Sequence, residues 1–335
     1  MTYAHQPGLL RRAGTALALA LAAIAVLLPS ARAQGDPYPS KPIRLVVGFP
    51  AGGSADNQAR LIAAKLSGLL GQQVMVDNKP GAGGNLGASA VAKSEPDGYT
   101  LLLAAVSAFS INPWLYPRLP FDPAKDFAFV GQVAAFQGVV VVAPSQPFQS
   151  IKELAAYAKA NPGKLMYGSP GNGTTPHLAA KLFERAAGVS LQHVPYRGDA
   201  PALTDTMGGQ VQLAFVNLGP AVTLIQNGRV RALGLTGQSR TAALPGVPTL
   251  EEAGFPHTAV PSWSGIVAPA GTPAPIIAKL SQALKTMTAD ADFREKALQQ
   301  SAEVVFGTST AFAQQAADDR SRFGKLIRET GIKLD

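Results

Sequence analysis

Short runs of branched apolar residues alternate with helix-period segments along most of the chain, and this alternation restricts the fold to the α/β class. Residues 43–49 have the composition of a buried strand. After Pro50-Ala51-Gly52-Gly53-Ser54, the stretch 56–70 places Ala59, Ile62, Ala63, Leu66 and Leu70 at helical spacing and stops at Gly71. Strand 73–77, glycine loop 80–87, short helix 88–93 and strand 99–104 follow. A second set begins near residue 139. Strands are expected at 139–143, 164–168, 191–195, 211–216 and 230–235, and helices at 151–160, 177–187, 200–207 and 221–227. Ser150 and Glu153 spell a capping box ahead of 151–160. Such alternation implies parallel sheets covered by helices.

Beyond 245 the texture changes. A proline-rich stretch, 245–261, leads to an apolar run at 263–268 and helices at 273–289, 293–299 and 310–330, the first with Thr272 as its N-cap. A chain of 335 residues is too long for one ordinary core. The expected organisation is one lobe from 34–138 plus 262–335 and a second from 139–261, with the helical tail returning to the first.

The first residues read as a targeting segment. Arg11 and Arg12 precede an apolar run over 16–28, and Ala31-Arg32-Ala33 is a small-x-small cleavage site, so the mature chain is expected to start near Gln34. The apolar run is shorter than the ~20 residues that span a bilayer. The arginine pair lacks the bulky apolar residues that usually follow in a twin-arginine signal, so the export route stays open. There is no cysteine, which excludes disulfides, thiol chemistry and a lipid-anchored Cys. Arg11, Arg12 and Arg32 leave with the leader, which holds no acid, so the formal charge of +8 falls to +5. The remaining Lys and Arg are scattered, which argues against nucleic acid as a partner, while a mildly positive surface steers anions inward.

Three strand-to-helix turns are rich in glycine and small polar residues: 50–56 with Ala51, Gly52, Gly53, Ser54 and Asp56; 80–87 with Asn85; and 168–175 with Ser169, Thr174 and Thr175. Glycine lets backbone N–H groups come close to a ligand, and the helix that follows offers unpaired N–H donors at the positive end of its dipole. Each turn has an alternative reading as a tight connection. Arg197 could clamp a carboxylate, although an Arg197–Asp199 pair bracing its loop is the preferred reading. Asn217 ends a strand and could reach a cleft; Trp263 reads as core rather than cleft wall. His177 sits in a first helical turn and reads as a helix-start polar residue. No histidine has metal-ligand spacing, Leu86 interrupts the dinucleotide fingerprint of 81–87, and Asp56 replaces the last glycine of a nucleophile elbow. No catalytic set, metal or cofactor is expected.

The motifs together resemble the periplasmic solute receptors of the tripartite tricarboxylate transporters, the TctC/Bug family. They are Tyr38-Pro39-Ser40-Lys41-Pro42-Ile43, Phe49-Pro50-Ala51-Gly52-Gly53-Ser54-Ala55-Asp56, Asn78-Lys79-Pro80-Gly81-Ala82-Gly83-Gly84, Pro96-Asp97-Gly98-Tyr99-Thr100, Tyr167-Gly168-Ser169, Gly173-Thr174-Thr175-Pro176-His177-Leu178-Ala179, Val194-Pro195-Tyr196-Arg197-Gly198, Pro248-Thr249-Leu250-Glu251-Glu252-Ala253-Gly254 and Ala268-Pro269-Ala270-Gly271-Thr272-Pro273. The resemblance implies a two-lobed type II periplasmic-binding-protein (Venus-flytrap) fold. It also implies capture of a small organic carboxylate for integral-membrane transporter subunits or, alternatively, for a signalling receptor. Phe49 would line the cleft, 51–54 and Asp56 would form one ligand loop, Thr174 and Thr175 the facing one, and Ser107 would supply a strand-end hydroxyl. Val216 stands where many relatives have Asp, and Gly219 where many have Pro. Loss of that acid disfavours an amino group on the ligand and points to a plain mono- or dicarboxylate.

Overall fold

β1 (Ile43–Val47) is buried at every position but Arg44, as a strand covered on both faces must be. It pairs in parallel with β2 (Val74–Asn78) and β3 (Thr100–Ala105). Helices α1 (Ser54–Leu70) and α2 (Asn85–Ala92) form the crossovers. After β3 come a widened turn, Ser107–Ile111, and the short α3 (Asn112–Leu115). This computed structural model describes residues 38–333, so the leader expected over 1–33 and its cleavage near Ala33 lie outside the described residues. The elements below belong to one compact unit that begins at Lys41.

The next strand, β4 (Phe127–Phe136), runs ten residues and leads through Gln137 alone into β5 (Gly138–Val142). There the chain changes sheet. Next come α4 (Ile151–Ala160), β6 (Met166–Ser169), α5 (Thr175–Ala187), β7 (Gln192–Pro195), α6 (Asp199–Met207), β8 (Leu213–Asn217), α7 (Leu218–Gln226) and β9 (Arg231–Leu235). Residues 236–261 lead back to β10 (Ser262–Pro269), followed by α8 (Ala274–Ala289), α9 (Ala291–Gln299), β11 (Glu303–Gly307) and α10 (Ser309–Thr330). The first sheet has the order β11-β4-β10-β3-β1-β2 and the second β7-β6-β8-β5-β9.

The α/β architecture agrees with the pattern, but both sheets are mixed. β10 lies antiparallel between β3 and β4, and β5 lies antiparallel between β8 and β9. Strands β4 and β11 were absent from the sequence reading. Gly131 and Gln132 break the apolar run of β4, and β11 is only five residues with an exposed start.

β5 illustrates how the sheets are buried. Val140 and Val142 join Phe183 and Phe215 on one face, while Val139 and Val141 join Ala202 and Val216 on the other. Each such valine or phenylalanine contributes roughly 1.5–3 kcal/mol by leaving water. Trp263 is core: it is 1% exposed, its Nε1 donates to Asp319 Oδ2 at 2.8 Å, and its ring meets Phe312 edge-on at 5.0 Å.

Two helix starts differ from expectation. Ser150 Oγ accepts from Glu153 N at 3.2 Å, but the Glu153 carboxylate reaches past the N-cap to Gln149 N at 2.8 Å. Thr272 does not cap α8: Pro273 is the N-cap, and Thr272 Oγ1 donates to Pro269 O at 2.8 Å.

Candidate functional site

The β1–α1 turn is held from below. Asp56 Oδ2 accepts from Gly52 N at 2.8 Å and from Arg60 Nε at 2.9 Å. Asn78 Nδ2 donates to Asp56 Oδ1 and to Phe49 O, both at 3.0 Å. Burial would raise the Asp56 carboxyl, but hydrogen bonds from Arg60, Gly52 N–H and Asn78 outweigh it and hold the group below the usual range. Asp56 is 2% exposed, so its role is to shape the turn and not to face a ligand.

Facing this turn is a cavity of about 100 Å³. Of the expected residues, Phe49, Ala51, Gly53, Ser54, Ser107, Thr174, Thr175, Arg197, Asp199 and Asn217 line it; Gly52, Asp56, Asn85, Ser169 and His177 do not. Asn85 is buried and accepts from Asn112 Nδ2 at 2.8 Å. Ser169 Oγ lies 2.7 Å from His193 Nε2. His177 is fully buried, accepts from Gly173 N through Nδ1 at 3.2 Å and stacks on His193 at 4.4 Å. Ser169 and His177 support the loop that carries Thr174 and Thr175, and Asn85 is tied through Asn112 to the 80–87 loop. The 80–87 loop lines a larger neighbouring cavity of about 800 Å³, with Phe49, Pro50, Pro170, Arg197 and Gly198 common to both.

Four helices start at the small cavity. Their N-caps are Gly53 (α1), Thr174 (α5), Gly198 (α6) and Asn217 (α7), all lining residues. None of these N-caps has a side-chain hydrogen bond to its own helix. The Thr174 hydroxyl is turned away to donate to Gly171 O at 2.7 Å, and Ser107 Oγ donates to Gly83 O at 3.1 Å. Neither therefore keeps its proton for a ligand. First-turn N–H groups left in this way are suited to an anion.

The expected Arg197–Asp199 brace is not formed. Arg197 is exposed at the boundary of the two cavities. Asp199 turns instead to the end of β8: Oδ1 accepts from Asn217 N at 2.9 Å, and Asn217 Nδ2 lies 3.2 and 3.1 Å from Oδ1 and Oδ2. A spacing of two residues fixes neither direction, and the backbone N–H at Asn217 supplies a closer partner. Burial is the larger influence on this carboxyl and lifts it to about 6, while the Asn217 hydrogen bonds hold it back.

The sequence reading missed Gln58, Phe136, Ser262 and Ser264, which also line the cavity. Gln58 lies four residues after Ser54 on the same helix face. Ser262 and Ser264 flank core Trp263 on β10, and period-two alternation puts both on the opposite face. Ser264 is 2% exposed, and its Oγ has no hydrogen-bond partner among the described residues.

A family profile described as a tripartite tricarboxylate transporter family receptor (TctC) matches residues 58–332. A UPF0065 protein of Pseudomonas sp. strain P51 is 39% identical over 313 residues, covering 93% of each chain. Protein BugT of Bordetella pertussis is 35% identical and covers 91% of this chain and 94% of its own. A Rhodopseudomonas palustris protein solved with adipate superposes at TM-score 0.85 with 35% identity, covering 88% of this chain and 99% of that one. A second from that organism, MatC with bound malate, gives 0.82 and 31%, covering 87% and 100%.

Proposed function

Because this chain belongs to the tripartite tricarboxylate transporter receptor (TctC/Bug) family, we propose that it captures a small organic carboxylate between its two sheets and presents it to integral-membrane transporter subunits. The family's proteins are periplasmic solute-binding proteins, and the fold is the two-lobed α/β fold of that class. The observation that carries the proposal is the convergence of uncapped helix starts on one cavity. A ligand carboxylate there accepts from the first-turn N–H groups of α1 and α5, with the Ser54 and Thr175 hydroxyls beside them. Arg197, at the junction of the two cavities, draws anions toward the opening. The adipate and malate complexes of the two relatives support carboxylates as the ligand class.

We read residues 34–138 with 262–335, and 139–261, as lobes that close over the ligand in a hinge motion. The hinge consists of Gln137 and the return segment 236–261. Two glycines allow close approach at the facing loops: a Cβ on Gly173 would collide with the Asn112 side chain, and one on Gly83 would stand 2.9 Å from Asn172 O. The cleaved chain, starting near Gln34, acts in the periplasm as a binding protein without turnover.

The test is thermal melting of the refolded, ligand-free protein against small carboxylates, with sugars and simple amines as controls. A ligand at 100 times its dissociation constant adds about 2.7 kcal/mol and raises the melting temperature by several degrees. Carboxylates are expected to give that shift. A shift with a sugar or amine and none with any carboxylate would refute the proposal.

A further inference from the structure

The cavity lining is electrically mixed. The starts of α1 and α5 offer N–H donors with no side-chain cap. Asp199 occupies the first position of α6 and accepts from the N-cap N–H of α7, so an acid already sits at those two helix starts. Arg197 and Asp199 are the ionisable residues lining the cavity. Asp199 is 4% exposed and its carboxylate has no cation beside it. The elements packed on α6 supply none: β5, β8 and α7 carry no ionisable side chain, and β6 carries only Tyr167. Asp205, on α6 itself, takes the Tyr196 hydroxyl at 2.7 Å.

A buried carboxylate without a cation has a large desolvation cost, and its spare lone pairs repel another anion. The Ser264 hydroxyl is a second, independent group in the same lining that is buried and without a protein partner. Buried polar groups of this kind are satisfied by what fills the site.

We infer that Asp199 sets the ligand class: its carboxylate accepts from an ammonium or hydroxyl group on the bound carboxylate, with Ser264 completing the polar contacts, and it excludes a second carboxylate at that end. The inference rests on the carboxylate-capture reading above and narrows it. The expectation of a plain mono- or dicarboxylate came from Val216 in place of an acid; the fold supplies an acid from α6, hydrogen-bonded to the adjacent Asn217. A ligand that carries a carboxylate and also a hydrogen-bond donor matches both kinds of group in the lining. Asp199 also ties α6 to β8, which is a purely structural role, so the test must separate bracing from recognition.

The experiment is calorimetric titration at pH 7.5 with matched four-carbon acids that differ only at the far end: butyrate, 4-hydroxybutyrate, 4-aminobutyrate and succinate, with a parallel six-carbon set. The wild type is expected to bind an amino or hydroxy acid at least tenfold more tightly than the plain acid, and the diacid weakest. The tighter of the two donors identifies the group. In Asp199→Asn, which keeps an oxygen for Asn217 N–H, the preference is expected to collapse and the diacid to gain. Ser264→Ala is expected to weaken the preferred ligand severalfold with an unchanged melting temperature. Diacid or plain acid binding as tightly as the donor acids, or a ranking unchanged in Asp199→Asn, overturns the inference and leaves carboxylate capture standing. Binding by no acid in either set removes both.

Discussion

Ser150, Asp290 and Thr308 each close the start of a helix with their own side chain, accepting from the N–H three residues on at 3.2, 2.9 and 3.3 Å. Gly53, Thr174, Gly198 and Asn217, which start the helices at the cavity, do not. A side-chain cap stabilises a helix by about 1 kcal/mol. The cavity-facing set therefore forgoes stability of roughly 2–3 kcal/mol, least at its two glycines, and at α1 and α5 keeps donors available where a ligand can use them. α8 is a third case: it begins beside exposed Pro275, and its first turn faces water. On the proposed reading, the difference separates helix ends that hold the molecule together from ends that hold a ligand.

That division can be broken hardest at the turn beneath α1. Asp56→Ala strands the Gly52 N–H and the Asn78 amide and frees Arg60. Urea unfolding is expected to show a loss of about 2–3 kcal/mol, together with loss of ligand binding, because the turn that presents Gly53 loses its support. A binding-competent Asp56→Ala protein would show that the open helix start is not positioned by this carboxylate.

Asp199 gives an effect of similar size that depends on pH. Its folded-state pKa of about 6 lies above the unfolded value of about 3.9. Folding therefore favours the neutral form; the contribution is full below pH 4 and is lost as pH rises through 6. In the absence of ligand, Asp199→Asn is expected to be the more stable protein at pH 8, by up to roughly 2–3 kcal/mol, and equal to wild type at pH 4. Melting curves at the two pH values check this, and a mutant less stable at pH 8 would mean that the brace to Asn217 outweighs the buried charge.

The smallest effects sharpen the comparison best. Ser150→Ala should cost about 1 kcal/mol of stability and leave binding alone. Ser54→Ala should leave stability alone and weaken carboxylate binding about fivefold, an equal energy spent in the opposite place. If both substitutions altered the same quantity, the two kinds of helix start would not differ in role.

Much of the frame was legible because period and punctuation are local. The run 56–70 with its closing Gly71 has one good solution, and Ser150 announces α4. The mixed pairing of β10 was not legible, since nothing within Ser262–Pro269 says which neighbours it returns to. In the site, the loops that end in helices were found from glycine and hydroxyl content. Ser264 was not, because it lies inside an apolar run, 263–268, that reads as a strand buried on both faces, and only the assembled fold shows that one of those faces lines a cavity. Asp199 was found but given the wrong partner: choosing between Arg197 and Asn217 needs the position of β8, which is set by tertiary pairing alone.

The open helix starts also bear on how such a protein changes over generations. A grip made by backbone N–H groups, as proposed for the carboxylate, has no side chain to lose, so most substitutions at those positions would leave it in place. Novelty must then come from the few side chains that point in, Asp199 and Ser264 among them. A duplicated gene can keep its hold on acids in general while one codon redirects it to another acid.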